Sequence, residues 1–144
     1  MWNTLLLIAQ GLFFVLGTYQ IFLSLFAWKR KREKIEHPPV KSFAVLVAAH
    51  NEEKVIGALL ENLLKMDYPR ELYDIFVICD NCTDSTADIV RSYPGVYACE
   101  RVNPNERGKG YAIEWMLKKL WKHPRQYDGV VMFDADNLVA TDFL

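Results

Sequence analysis

The first 28 residues contain no Asp, Glu, Lys, Arg or His, and no other feature restricts the folding of this chain as strongly. Residues 5–28 place 18 members of the set AVILMFWYC in 24 positions. At about 1.5 Å per residue such a helix reaches roughly 36 Å, enough to cross a ~30 Å hydrocarbon layer with some tilt. Gln10, Thr18, Gln20 and Ser24 are uncharged and can bond along their own helix. No basic residue precedes the run and no small-residue cleavage site follows it, so residues 1–28 are expected to be an uncleaved transmembrane anchor rather than a secretory signal. Lys29-Arg30-Lys31-Arg32 comes next. With Lys34 added and Glu33 and Glu36 subtracted, residues 29–36 net +3, which predicts a cytoplasmic placement at the cell membrane for everything downstream. Residues 29–42 are then a basic juxtamembrane linker, stiffened by Pro38-Pro39.

All 17 basic and 18 acidic residues fall in the remaining 116 positions, about 30% of that stretch and a typical soluble level. The chain nets −1 overall, hence −4 over residues 37–144 once the +3 cluster is removed, and nothing in that balance suits nucleic acid. Cys79, Cys82 and Cys99 are odd in number and irregular in spacing, which points to reduced thiols rather than a disulfide framework.

Beyond the linker, apolar runs alternate with amphipathic ones. Residues 43–49 (FAVLVAA), 75–78 (IFVI), 96–99 (VYAC) and 129–133 (GVVMF) predict four short strands, the continuous apolar ones buried on both faces of a parallel sheet. Asn51-Glu52-Glu53 is expected to cap a helix carrying Val55, Ile56, Leu59, Leu60, Leu63 and Leu64. Thr83 or Asp84 is expected to cap a second through about residue 91, and a third is expected over residues 109–123. Strands alternating with helices predict an α/β doubly wound, Rossmann-like sheet over residues 43–144, in which ligands bind beyond the carboxyl ends of the strands.

The chemistry-bearing residues fall at those ends: His50-Asn51-Glu52 after the first strand, Asp80-Asn81 after the second, Asp134-Ala135-Asp136 after the fourth. Any one of these could be a turn acid or a helix cap; their convergence on one edge favours a site. Asp134 and Asp136, two positions apart where the chain leaves the sheet, can both reach a hard cation such as Mg²⁺ or Mn²⁺, which takes its other ligands from water and substrate phosphates. Arg107-Gly108-Lys109-Gly110 enters a helix, where free amides, the helix dipole and a Lys charge suit a phosphate. Asn103 and Gly110 stand where a P-loop needs its first Gly and its Ser or Thr, so the loop is not of that type.

Four segments together carry a resemblance: Val45-Leu46-Val47-Ala48-Ala49-His50-Asn51-Glu52, Ile78-Cys79-Asp80-Asn81-Cys82-Thr83-Asp84, Arg107-Gly108-Lys109-Gly110-Tyr111-Ala112 and Asp134-Ala135-Asp136. In this order they resemble the successive N-terminal motifs of family 2 glycosyltransferases, especially the membrane-embedded members that make bacterial polysaccharides or glycolipids. Ala48 stands where that family usually has Pro, and Asn81 where a second Asp is common. The resemblance implies a GT-A fold, a nucleotide-activated sugar as donor (a UDP-sugar), a glycan or lipid acceptor, inversion at the anomeric carbon, and a cytoplasmic catalytic domain. It further implies that Ala49, His50 and Glu52 line the uridine pocket and that Asp80 receives the imide of the base. Lys109 would approach the diphosphate, Asp134 the ribose or sugar, and Asp136 the metal. The family's general base and its acceptor-side motif lie further along the chain than Leu144. Residues 43–144 are therefore expected to be a donor-binding half with an incomplete sheet, inactive alone and with apolar surface exposed.

Two other readings stand beside this one, a membrane scaffold that keeps the fold without catalysis and a sugar nucleotidyltransferase. The latter wants a basic Gly-rich loop after the first strand, where His50-Asn51-Glu52-Glu53 is acidic. Cys79-x-x-Cys82 begins inside a strand and has no second pair, so core and loop thiols explain it better than a redox or zinc site.

Overall fold

The computed structural model describes residues 2–28 and 38–144; the basic cluster at 29–36, with its expected role in orientation, and His37 lie outside the described residues. The two segments belong to separate compact units. The first is a single helix, α1 (Trp2–Trp28), long and apolar enough to cross a membrane and with none of its apolar stretch buried against protein. Two of its polar side chains are satisfied within the helix: Thr18 Oγ1 donates to the Phe14 carbonyl at 2.8 Å and Ser24 Oγ to that of Ile21 at 2.7 Å. Bonding of this kind lets a hydroxyl sit in an apolar environment without an unmet donor.

In the second unit the chain runs β1 (Phe43–Ala49), α2 (Ile56–Leu63), β2 (Tyr73–Asp80), α3 (Thr86–Ser92), β3 (Val96–Arg101), α4 (Lys109–Leu120) and β4 (Gly129–Asp134). The four strands form one parallel sheet in the order β3-β2-β1-β4. Successive strands step outward from β1 to β3, and then α4 carries the chain back across the sheet to the other side of β1. The handedness rule for parallel crossovers puts helices on opposite faces when the direction reverses, and the packing follows it. On one face α2 and α3 bury Ile56, Leu59, Leu60, Leu63 and Val90 against Val45, Val47, Ile75 and Val77. On the other α4 buries Ala112, Met116 and Leu120 against Ala44, Leu46, Phe76 and Ile78. Covered on both sides, β1 and β2 are nearly continuous apolar sequence; full burial of each such aliphatic side chain is worth about 1.5–3 kcal/mol.

The outer strands differ. β4 alternates between half-buried and exposed positions, and Val130 and Met132, beside Ala44 and Leu46 on the α4 face, remain 44% and 53% exposed because α4 packs over β1 and β2 instead. The expected apolar exposure on this sheet is present at that edge.

The first strand has the bounds read from sequence, whereas the helix after it begins five residues later than the expected cap at Asn51. Asn51 adopts φ +57 and turns its side chain across to the next loop, where Oδ1 accepts from the Thr83 amide at 2.7 Å; α2 starts with no side-chain cap. The N-cap of α3 is Ser85, without a side-chain cap bond, rather than the expected Thr83 or Asp84; Asp84, one residue earlier, accepts from the Thr86 amide at 3.0 Å through Oδ1. Solvent loss raises the Asp84 carboxyl, but bonds from the Thr86 hydroxyl and amide and the Glu53 amide outweigh it and hold the group below the usual range. β2 and β3 both run further than their apolar cores, ending on the charged residues Asp80 and Arg101.

Candidate functional site

At the carboxyl ends of the strands, beside the reversal of strand order between β1 and β4, a crevice opens between the loops after β1 and β2, which lead to helices on one face, and the entry to α4 on the other. A cleft of ≈ 310 Å³ lies there, lined by Ala48, Ala49, His50, Glu52, Asp80, Asn81, Arg107, Gly108, Lys109, Ala112 and Asp134. Of the residues singled out in sequence, Ala49, His50, Glu52, Asp80, Lys109 and Asp134 all line it. Asp136 does not; it is exposed, beyond buried Ala135, with Asn137 Nδ2 donating to it at 3.4 Å.

Each wall is held by bonds between loops. His50 Nδ1 lies 2.6 Å from the Asp80 carbonyl, which can only accept, so that nitrogen carries a proton and Nε2 remains for the cleft. The Glu52 amide donates to Thr86 Oγ1 at 2.8 Å and the Glu53 amide to Asp84 Oδ2 at 3.1 Å, while the Ser85 amide donates back to Glu53 Oε2 at 3.1 Å. The loops after β1 and β2 are thereby locked to each other, with Glu52 half-buried between them.

Asp80 is buried, and register explains its partner: it sits directly opposite Arg101 on β3. Arg101 Nη1 donates to Asp80 Oδ1 at 2.7 Å, and Asn81 Nδ2 reaches the same oxygen at 3.1 Å. No described residue donates to Oδ2, and no side-chain oxygen among the described residues is both buried and unpartnered, so Oδ2 opens to the cleft. A carboxylate fixed at one oxygen and free at the other suits recognition of a single N–H donor. Sequence reasoning missed Arg101; it is a lone charge at a strand end, and only strand register reveals its burial.

Gly108, with φ +114 and open space around it, precedes α4 and brings the free amides of the first turn to the cleft mouth. Lys109 forms an ion pair with Asp134, which lies opposite Ala48 at the end of β4. Among the described residues no group of three or more His, Cys, Asp or Glu could enclose a cation. Of the two carboxylates expected to hold a cation, Asp134 lines the cleft and Asp136 does not; carboxylate oxygen is the donor type that a divalent cation takes together with phosphate and water. Cys79 is a buried free thiol pushed up to about 12, first by burial and then by neighbouring Cys82, far from a reactive thiolate.

The parallel sheet covered by helices on both faces is an α/β fold of the GT-A class, as its solved structural neighbours show. The chain belongs to glycosyltransferase family 2: the family model described as "Glycosyltransferase like family 2" matches residues 38–144. It is 32% identical over 147 residues to a beta-monoglucosyldiacylglycerol synthase of Nostoc, covering 99% of this chain and 30% of that protein. It is 41% identical over 104 residues to the poly(ribitol-phosphate) beta-N-acetylglucosaminyltransferase TarS of Staphylococcus aureus, covering 71% of this chain and 17% of TarS. Among solved structures it resembles the mannosyltransferase PcManGT of Pyrobaculum calidifontis in complex with GDP-Man and Mn²⁺, with TM-score 0.62 and 25% identity over 83% of this chain and 35% of that one. It also resembles residues 1–349 of TarS in complex with UDP-GlcNAc, with TM-score 0.59 and 28% identity over 69% of this chain and 28% of that one. The chain thus spans about 30% of the length of the Nostoc synthase and less of TarS.

Proposed function

We propose that residues 43–144 bind the donor of an inverting glycosyltransferase that uses a UDP-sugar, in polysaccharide or glycolipid synthesis at the cytoplasmic face of a membrane, with residues 1–28, which include α1, as the anchor. The observation that carries the reading is the cleft at the strand-order reversal, lined by residues at the ends of β1, β2 and β4 and at the entry to α4. Membrane attachment is supported by the length and apolarity of α1, and the glycan or lipid acceptor class by the Nostoc and TarS relatives.

In this assignment Oδ2 of Asp80 accepts the imide N–H of the base, with Ala49, His50 and Glu52 forming the wall against which the nucleoside lies. Lys109 and the amides following Gly108 receive the diphosphate, and Asp134 the ribose or sugar. A Mg²⁺ or Mn²⁺ ion held by Asp134 and Asp136 would supply charge neutralisation for the departing diphosphate. Lys109 then exchanges Asp134 for phosphate. Inversion also requires a base for the acceptor proton; that role is assigned to none of the cleft residues.

The test is calorimetric titration of UDP into the detergent-solubilised chain with and without Mn²⁺. Saturable, metal-dependent binding is expected. Well-folded protein that binds neither UDP nor any other nucleoside diphosphate would overturn the donor-site assignment and favour a scaffold.

A further inference from the structure

The site contains a buried guanidinium whose hydrogen bond to the cleft lining goes to Asp80. Arg101 is 4% exposed and divides its donors between two destinations. Nη1 donates to Asp80 Oδ1 and, at 2.8 Å, to the Glu106 carbonyl; Nη2 donates to Glu106 Oε2 at 2.9 Å. Glu106 immediately precedes Arg107-Gly108-Lys109, the segment that reaches the cleft mouth. The same loop is tied a second time to the end of β2, since the Asn103 amide donates to Asn81 Oδ1 at 2.8 Å and Asn103 Nδ2 to Glu106 Oε2 at 3.0 Å.

We propose that Arg101 is a positioning residue that couples the nucleoside end of the site to its diphosphate end: one buried fork fixes Asp80 and holds loop 102–108 in the place from which Lys109 and the amides of α4 face the donor. A planar fork suits this role because its five N–H groups are rigidly spaced, so that displacing one partner displaces the other; a lysine ammonium would satisfy the charge of Asp80 without bracing the loop. Burial strengthens the effect, since an Arg101 donor released from Glu106 has little water to turn to. The loop itself has little packing to hold it: Val102 and residues 104–108 are all exposed. The inference deepens the proposed donor site and rests on it for the names of the ligands.

The experiment uses the full chain in detergent, with amide hydrogen exchange and calorimetric titration of both uridine and UDP. Glu106→Ala removes the solvent-facing end of the clamp and leaves the Arg101–Asp80 pair in place; Arg101→Lys is the second variant. Glu106→Ala is expected to speed exchange in residues 102–109 while β1 and β2 stay protected. It should also weaken UDP roughly tenfold with uridine unchanged, the worth of one hydrogen bond to a charged group. Arg101→Lys should do the same. A purely structural arginine would weaken both ligands by one factor and leave their affinity ratio intact. Unchanged exchange in the loop, or equal losses for uridine and UDP, overturns the coupling. If the unsubstituted chain binds neither ligand, the donor-site reading fails instead, and the exchange measurement still decides whether the clamp holds the loop.

Discussion

Lys109 and Asp134, brought to the cleft mouth from α4 and β4, form an ion pair in which each side chain is 52% exposed. A pair so open to water contributes at most ~1 kcal/mol to folding, so its meaning lies in the charge it withholds from a ligand. Asp134→Asn is expected to leave the unfolding midpoint nearly unchanged and to release Lys109. Calorimetry should then show tighter UDP binding without divalent metal and weaker binding with Mn²⁺. Opposite movements in the two buffers are the signature; a parallel loss in both would refute competition for Lys109.

Asp136 is exposed and outside the cleft lining, and accepts one long bond from Asn137 Nδ2. Asp136→Ala should therefore keep the fold and the metal-independent part of UDP affinity while removing the Mn²⁺-dependent part. Thermal unfolding beside titrations in Mn²⁺ and in chelator separates these outcomes.

Asp80 behaves differently because it is both exposed to ligand at one oxygen and buried against Arg101. Asp80→Ala removes the buried counter-ion of that guanidinium and leaves it the exposed Glu106 carboxylate alone, so it should cost at most about 3–5 kcal/mol in denaturant unfolding. Asp80→Asn keeps the shape and an acceptor, and should be much milder. Where the variant remains folded, UDP should weaken more than free diphosphate.

Gly108 holds φ +114 and ψ 156, a region that only glycine adopts without strain. Nothing within 4 Å blocks a Cβ there, so Gly108→Ala tests the backbone alone. It should cost about 1–3 kcal/mol if the loop keeps its path. If the loop relaxes instead, the cost should appear as weaker UDP binding; chemical denaturation and titration on one sample distinguish the two.

At the opposite end of the sheet, Asp128 accepts from the Ser42 amide at 2.8 Å, from Lys41 Nζ at 2.9 Å and from the Ser42 hydroxyl at 3.1 Å. These bonds, the Ser42 amide foremost, lower its carboxyl from 3.8 to about 2. A depressed folded value means the stabilisation is fully present above the ordinary pKa and is lost as pH falls through about 2. Asp128→Asn should accordingly lower stability at neutral pH, and the gap to the parent should close between pH 4 and 2 in an acid-unfolding series followed by circular dichroism.

Residues 43–49 illustrate what sequence alone decided. A strand covered on both faces must be apolar at every position, so the run FAVLVAA carries its own boundaries, and the polar residues that follow it mark the sheet edge where ligands bind. The same logic placed Asp80 and Asp134 at strand ends, and the uncharged run of α1 needed only its length and composition. Tertiary structure decided what depends on partners distant in the chain. Asn51 has the chemistry of a helix cap, yet it bonds across to Thr83, a choice available only once β1 and β2 lie side by side. Arg101 has the composition of a surface strand end, yet the register of β3 on β2 sets it beside Asp80 and buries it. Asp134 and Asp136 are two residues apart, but the turn after β4 keeps only Asp134 in the cleft lining. Apolar periodicity reports which face of an element is covered. Which polar group meets which is set by strand register and loop crossing, and these exist only in the folded chain.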